Sequence, residues 1–262
     1  MEEVAEHIVD WLKAYAGESG LKGFVVGVSG GIDSAVTSVL CAQTGLPVLC
    51  LEMPIHQKKD QVHRAQKHLN WLEERYSNVE AKTVDLTATF EAFKEVVGGS
   101  ENSDQMKLAL ANSRSRLRMT TLYQYASFHR RLVVGTGNKV EDFGIGFFTK
   151  YGDGGVDVSP IADLMKSEVY ALASHFSVIE EIQRAVPTDG LWDDDRTDEQ
   201  QIGASYEAME WAMLQIEKGK STEEFTGNQR HWMQLYTSHH NRNKHKMSPI
   251  PVCIVPSFKK KD

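Results

Sequence analysis

Four short segments, Phe24–Val28, Pro47–Leu51, Val79–Leu86 and Leu132–Gly135, punctuate the first half of the chain and read as strands. The first is an apolar run bounded by glycines and predicts a buried strand, and the fourth is as apolar and short. Helical spacing fills the intervals and predicts helices over 34–43, 57–76, 87–97 and 103–129. A first helix over residues 1–16 carries Val4, Ile8, Trp11, Leu12 and Tyr15 on one stripe, and Gly17 to Gly20 is expected to break it. Strands alternating with helices of this length imply βαβ units. The expected class is therefore α/β, a three-layer α/β/α fold around a central, mainly parallel twisted sheet. Beyond Gly135 the pattern loosens: seven glycines between Gly135 and Gly155 exclude one regular element there. Helices are expected again over 163–176, 198–217 and 222–238, before a proline-rich tail from Pro249 to Pro256.

Composition narrows the class of function. The 262 residues carry 29 Lys+Arg against 36 Asp+Glu, a formal net charge of −7 that disfavours duplex nucleic acid as a partner. A small anionic ligand stays open, since a few local cations suffice for it. No apolar run approaches the length of a membrane span, and the acidic start MEEVAEHIVD is unlike a signal peptide. Cys41, Cys50 and Cys253 are widely spaced and form neither a disulfide framework nor a metal pair. With no repeat or linker, residues 1–262 are expected to form one domain of a soluble, cytoplasmic protein. The ten histidines show no spacing that favours a metal site.

Candidate chemistry begins at Gly27-Val28-Ser29-Gly30-Gly31-Ile32-Asp33-Ser34, between the first strand and its helix. Small residues at a helix N-terminus aim several backbone N–H groups at one point, which suits phosphate. A plain βα turn with a capping residue would explain one glycine and one polar residue of this string, not all of them. No lysine follows to make a Walker A loop, and Ser29 and Ile32 break the dinucleotide G-x-G-x-x-G pattern. SGGxDS instead resembles the pyrophosphate loop of the ATP pyrophosphatase (PP-loop) superfamily, whose fold is of the adenine nucleotide alpha hydrolase type. An aspartate inside an anion loop makes sense beside a cation, so Asp33 is a candidate Mg²⁺ ligand.

Two further strings sit beyond the fourth strand, where open α/β sheets bind ligands. The first, Gly135-Thr136-Gly137-Asn138-Lys139-Val140-Glu141, offers Glu141 as a second acid for a metal and Thr136 as a nucleotide contact. The second runs from Gly146 to Asp157 (GFFTKYGDGGVD). Together with Pro160, Lys166, Asn112-x-x-x-Arg116-x-Arg118-Met119, Pro187-Thr188 and His245-Lys246, these strings resemble ammonia-dependent NAD synthetases over roughly residues 1 to 250.

The resemblance implies amidation of nicotinic acid adenine dinucleotide (deamido-NAD) by ATP and ammonia, through an acyl-adenylate, with release of AMP and pyrophosphate. It implies that Gly27, Val28, Ser29, Gly30, Gly31, Ile32, Asp33 and Ser34 bind ATP phosphates, with Thr136, Lys166 and Thr188 as further ATP contacts. Asp33 and Glu141 are the implied Mg²⁺ ligands. Arg116, Lys150, Asp157, His245 and Lys246 match deamido-NAD contacts, and Asp153 matches a carboxylate near the ammonia position. Asp33, Glu141, Asp153 and Lys166 are thus the expected catalytic group. The family is typically a homodimer. The cysteines are expected to be structural, since no covalent intermediate is needed.

Local charge agrees, because no Asp or Glu lies between Gln105 and Val140 while five arginines do. On a helix Arg116 points away from Arg114 and Arg118, and these two are expected to be solvated or paired across a subunit contact. The segment 187–198, with a proline and five aspartates, reads as a lid or an acidic surface loop, Thr197 capping the next helix. Only about 23 residues precede the first strand, too few for a glutaminase domain, so ammonia is the expected nitrogen source. Two other readings stay open: another PP-loop adenylating enzyme, and a non-catalytic nucleotide-binding module.

Overall fold

The computed structural model describes residues 1–98, 103–188, 190–192 and 196–256. Its sheet has four strands, β1 (Phe24–Gly27), β2 (Val48–Glu52), β3 (Val79–Thr83) and β4 (Leu132–Val134), all parallel in the order β3-β2-β1-β4. The strands alternate with α1 (Glu2–Ser19), α2 (Ile32–Gln43), α3 (Lys59–Arg75), α4 (Thr87–Val96) and α5 (Asp104–His129). After β4 come a π-helical turn (Val140–Ile145), α6 (Lys166–His175), α7 (Glu180–Gln183), α8 (Asp198–Ile202), α9 (Tyr206–Glu217) and α10 (Gly227–Met247).

Side chains of successive strand residues point to opposite faces, and both faces of β1, β2 and β4 are covered, while the edge strand β3 is partly exposed. Phe24, Val26, Val48, Cys50, Leu132 and Val134 pack on one side with Leu12, Val36, Leu40, Leu69 and Leu172 from the helices. Val25, Leu49, Leu51 and Val133 pack on the other with Phe90 and Ala126. The three-layer α/β/α arrangement inferred from the alternating runs is the one observed. Leu12, Phe24, Leu40 and Leu49 are fully buried. Truncating one such leucine to alanine costs about 2–5 kcal/mol, through lost transfer energy and the cavity left behind. A third cluster joins Val140 and Ile145 to Met209, Met213, Met233 and Tyr236, and so fastens α9 and α10 beside the sheet's β4 edge.

Several local expectations change. Helix α1 runs through Gly17 and ends at Gly20, whose φ of 66° gives the left-handed cap that glycine adopts without strain. Its buried stripe is Ala5, Ile8, Val9, Leu12 and Ala16, while Trp11 and Tyr15 are exposed and pack on each other, 5.7 Å between ring centroids. The helix expected over 198–217 is two, because Gly203 closes α8 in the left-handed region and Ser205 accepts from Ala208 N to start α9. Helix α10 begins later than expected and continues to Met247, so His245 and Lys246 lie in its last turn. Cys41 and Cys50 are core residues, but Cys253 lies on the exposed tail rather than in a structural position. No helix among the described residues is long and apolar enough to cross a membrane.

Candidate active site

The loop between β1 and α2 is folded on its own hydroxyls. Ser29 N donates to Ser34 Oγ (3.2 Å), Ser34 Oγ donates to Gly31 O (3.0 Å), and Gly31 N donates to Ser29 Oγ (3.3 Å). Gly30 has φ +79°, and a Cβ there would come within 2.9 Å of Gln61 O, so a side chain would be strained by both backbone and neighbour. The loop therefore lies directly against α3 and opens at the N-terminus of α2, where the helix dipole favours an anion.

Next to it lies a buried group of opposite charges. Lys166, the first residue of α6, is 3% exposed, and its Nζ is 2.5 Å from Asp33 Oδ2 and 3.1 Å from Glu141 Oε1. Asn138 Nδ2 donates to the other Asp33 oxygen at 3.0 Å. Tyr206 hydroxyl donates to Glu141 Oε1 at 2.6 Å. Burial alone would lower the Lys166 pKa, but the Asp33 and Glu141 carboxylates more than offset it and hold the ammonium well above its ordinary range. Burial raises Glu141, with the Lys166 charge pulling the other way.

Glu141 belongs to the π-helical turn, a wide coil common at functional positions. Its neighbour Asp142 is pushed well above the carboxylate range, by burial first and then by Glu141 and Asp153. A Cβ at Gly137 would sit 2.1 Å from an Asp142 oxygen, so only glycine fits there.

The GFFTKYGDGG string is a tight loop pinned to the sheet and to two helices. Val158 bridges Val134 in parallel, and Asp157 Oδ2 accepts from Val133 N at 2.8 Å. Asp153 Oδ1 accepts from Ser115 Oγ (2.7 Å) and Thr149 N (3.0 Å), and Thr149 Oγ1 donates to Asn112 on α5 (2.6 Å). From α10, Lys246 Nζ donates to Gly146 O and, at 2.7 Å, to Phe148 O.

These parts line a cavity of about 290 Å³ at the carboxyl ends of the strands. Of the residues expected from sequence, Gly27 to Ser34, Thr136, Glu141, Asp153, Lys166 and Thr188 line it. Arg116, Lys150, Asp157, His245 and Lys246 do not, and they lie along a neighbouring surface. There Arg116 Nε donates to Lys150 O (3.3 Å), and Lys150 Nζ donates to His245 O (3.1 Å). Asp157 also accepts from Tyr123 hydroxyl at 3.0 Å.

Arg114 and Arg118 are neither solvated nor left for another subunit. Arg114 is buried over the Phe90 ring and donates to Leu191 O (2.5 Å), and Arg118 Nε donates to Met53 O (2.9 Å). Arg114 and Gln57, which donates to Gly190 O at 3.0 Å, thus hold Gly190 and Leu191 at the cavity wall. Thr197 caps α8, accepting from Gln200 N at 3.2 Å. Asp189 and Asp193 to Asp195 lie outside the described residues.

Sequence reasoning missed Asn138, Asp142, Gln57 and Tyr206. Asn138 stands inside a string already singled out, and Asp142 follows directly after it. Tyr206 is 65 residues from Glu141 and carries no local signal.

Asp33 and Glu141 converge on one positive point, the arrangement Mg²⁺ uses when one or two carboxylates share it with substrate phosphates. Among the described residues no group of three or more His, Cys, Asp or Glu is arranged to hold a metal alone. The donor set therefore fits a cation shared with a phosphate ligand.

The NAD synthase family model matches residues 4–250. The NH(3)-dependent NAD(+) synthetase of Methanosarcina mazei is 36% identical over 96% of this chain and 98% of its own. That of Archaeoglobus fulgidus is 36% identical over 97% of each chain. Among solved structures, an NMN synthetase from Francisella tularensis superposes with a TM-score of 0.83 and 31% identity, covering 98% of both chains. The NH3-dependent NAD synthetase of Campylobacter jejuni gives a TM-score of 0.77 and 26% identity, covering 97% of this chain and 98% of its own. With the family model matching residues 4–250 and relatives 36% identical over nearly the whole chain, the chain belongs to the NAD synthases.

Proposed function

We propose that the protein amidates deamido-NAD to NAD with ATP and ammonia. The observation that carries this reading is the anion loop opening beside Asp33, Glu141 and Lys166, with Asp153 on the same cavity wall. A carboxylate is a poor acceptor for ammonia because it has no good leaving group. In the proposed reaction a nicotinate oxygen attacks the α-phosphorus of ATP and pyrophosphate departs. Ammonia then attacks the acyl carbon of the adenylate, AMP departs, and the nitrogen loses a proton. No side chain needs to bond covalently to substrate.

The chain's own groups suit these steps. Backbone amides of Gly27 to Ser34 and the α2 dipole hold the leaving pyrophosphate. Thr136, Lys166 and Thr188 supply further contacts to ATP. Asp33 and Glu141 would hold Mg²⁺, which offsets crowding among the phosphates when bound. Asp153, held by Ser115 and Thr149 N, is placed to attract ammonium and take its proton. Arg114 and Gln57 hold Gly190 and Leu191 at the cavity wall and keep water from the adenylate. Arg116, Lys150, Asp157, His245 and Lys246 form the deamido-NAD surface in this reading, completed by a second copy in a homodimer. One domain spans the chain, with ammonia as the direct nitrogen donor.

One observation favours a second reading, in which the acid mononucleotide is amidated. The 31% identical structural relative is an NMN synthetase, and nicotinic acid mononucleotide carries the same nicotinate carboxylate as deamido-NAD. The deciding experiment is mass-spectrometric detection of product from purified protein with ATP, Mg²⁺ and ammonium. Either deamido-NAD or nicotinic acid mononucleotide is supplied, and glutamine replaces ammonium as a control. NAD formed from deamido-NAD with ammonium, and far less with glutamine, is expected. Faster turnover of the mononucleotide replaces the first reading with the second, and no amide product from either overturns both.

A further inference from the structure

Tyr206 stands at the N-terminus of α9, is 7% exposed, and does three things with one side chain. Its hydroxyl is 2.6 Å from Glu141 Oε1 and 3.2 Å from Asp198 Oδ2. Its ring lies 4.7 Å from the Lys166 ammonium. Asp198 opens α8, and its backbone N donates to Pro187 O at 3.1 Å. The Glu141 oxygen that Tyr206 touches is also the one that Lys166 touches. A carboxylate oxygen that accepts from both a phenol and an ammonium is restrained in its orientation. That is how a supporting group fixes a ligand before the ligand's partner arrives.

We propose that Tyr206 is a positioning residue for Glu141, holding its carboxylate in the orientation needed for Mg²⁺–ATP, with Asp198 at the start of α8 as the second contact of its hydroxyl. The inference rests on the reading of Asp33 and Glu141 as the metal-holding pair. The phenol touches neither substrate nor reacting atoms, so it acts only through Glu141 and Asp198. The shorter contact gives the phenol proton to Glu141, and Asp198 lies 3.2 Å from the same hydroxyl as a second acceptor, so the start of α8 sits beside the group that aims Glu141.

Tyr206→Phe removes the hydroxyl and keeps the ring against Lys166 and the methionine cluster. The protein should still fold, with a melting transition close to that of the parent chain. Calorimetric titration of Mg²⁺ with a non-hydrolysable ATP analogue should show affinity weakened roughly tenfold, the usual effect of losing one hydrogen bond to a charged group. In turnover, the Mg²⁺ concentration for half-maximal rate should rise by a similar factor while KM for the nicotinate substrate stays unchanged. Asp198→Asn alone should weaken Mg²⁺–ATP binding less, and the double variant should be no weaker than Tyr206→Phe, because both changes cut one chain of contacts. Parent-like Mg²⁺–ATP affinity in Tyr206→Phe overturns the proposal, and additive losses in the double variant overturn the link to Asp198. Because calorimetry needs no turnover, a parent chain that binds Mg²⁺–ATP but makes no amide would sink the proposed reaction and leave Tyr206 still tested.

Discussion

Lys166 carries its positive charge into a place where two carboxylates already face each other. At 3% exposure it is kept there by Asp33 and Glu141, themselves only 17% and 15% exposed. Removing one partner of a buried ion pair costs about 3–5 kcal/mol, since the remaining charges are left dehydrated and unopposed. Lys166→Met should therefore lower stability by about that amount in denaturant titrations. The two bared carboxylates should also gain affinity for a divalent ion, so millimolar Mg²⁺ should raise the melting temperature of this variant more than that of the parent chain. An equal rise in both would show that the carboxylates do not act as a pair. At this scale Asp33, Glu141 and Lys166 were legible in the sequence because each falls in or near a recognisable string. Tyr206 was not, because a lone tyrosine opening an amphipathic helix reads as packing. The contacts that give it meaning are made across the fold.

Helices α2 and α3 show how an element holds the anion loop. His68 on α3 is fully buried, its Nε2 2.9 Å from Ser38 Oγ on α2 and its ring stacked on Trp71. Burial lowers its pKa to about 4, with a backbone contact at Ala35 acting weakly the other way. In the unfolded chain the same group titrates near 6.5, so below that pH the unfolded state binds the proton and the folded state resists it. The contribution of neutral His68 is whole above pH 6.5 and declines as pH falls towards 4. The loss is about 2 kcal/mol at pH 5. Urea titrations at pH 7 and pH 5 should show this loss in the parent chain and a smaller one in His68→Gln, which does not titrate there. Equal losses would mean the pH response comes from other groups.

Element boundaries were read best where a cap or a strand end marks them. Ser103 accepting from Met106 N starts α5 as its sequence suggests. The π-helical turn was invisible, because its wider coil is set by Val140 and Ile145 packing into the α9–α10 cluster and not by residue preference.

The whole molecule gathers its cavity from distant parts of one chain, and its outer surface has unfinished business. Arg116, Lys150 and His245 form a surface that the cavity does not include, and α5, which carries Arg116, also exposes Leu108 and Phe128. A second copy covering this side would make the proposed dinucleotide surface complete. Light scattering should then report twice the 29.4 kDa chain mass, and a monomer with full activity would rule this out. The alternating runs made the parallel sheet legible because short buried strands and long helices leave opposite periodicities. The route of residues 135–165 was not legible, since glycines permit many paths and only contacts with α5, β4 and α10 select one.

Lys246 makes the last of those contacts, gripping the carbonyls of Gly146 and Phe148 from a helix that ends about a hundred residues later. In time, as the chain leaves the ribosome, the anion loop can find α3 early, but the glycine loop waits for that lysine. A fragment cut before α10 would therefore lack the clamp on the loop that carries Asp153.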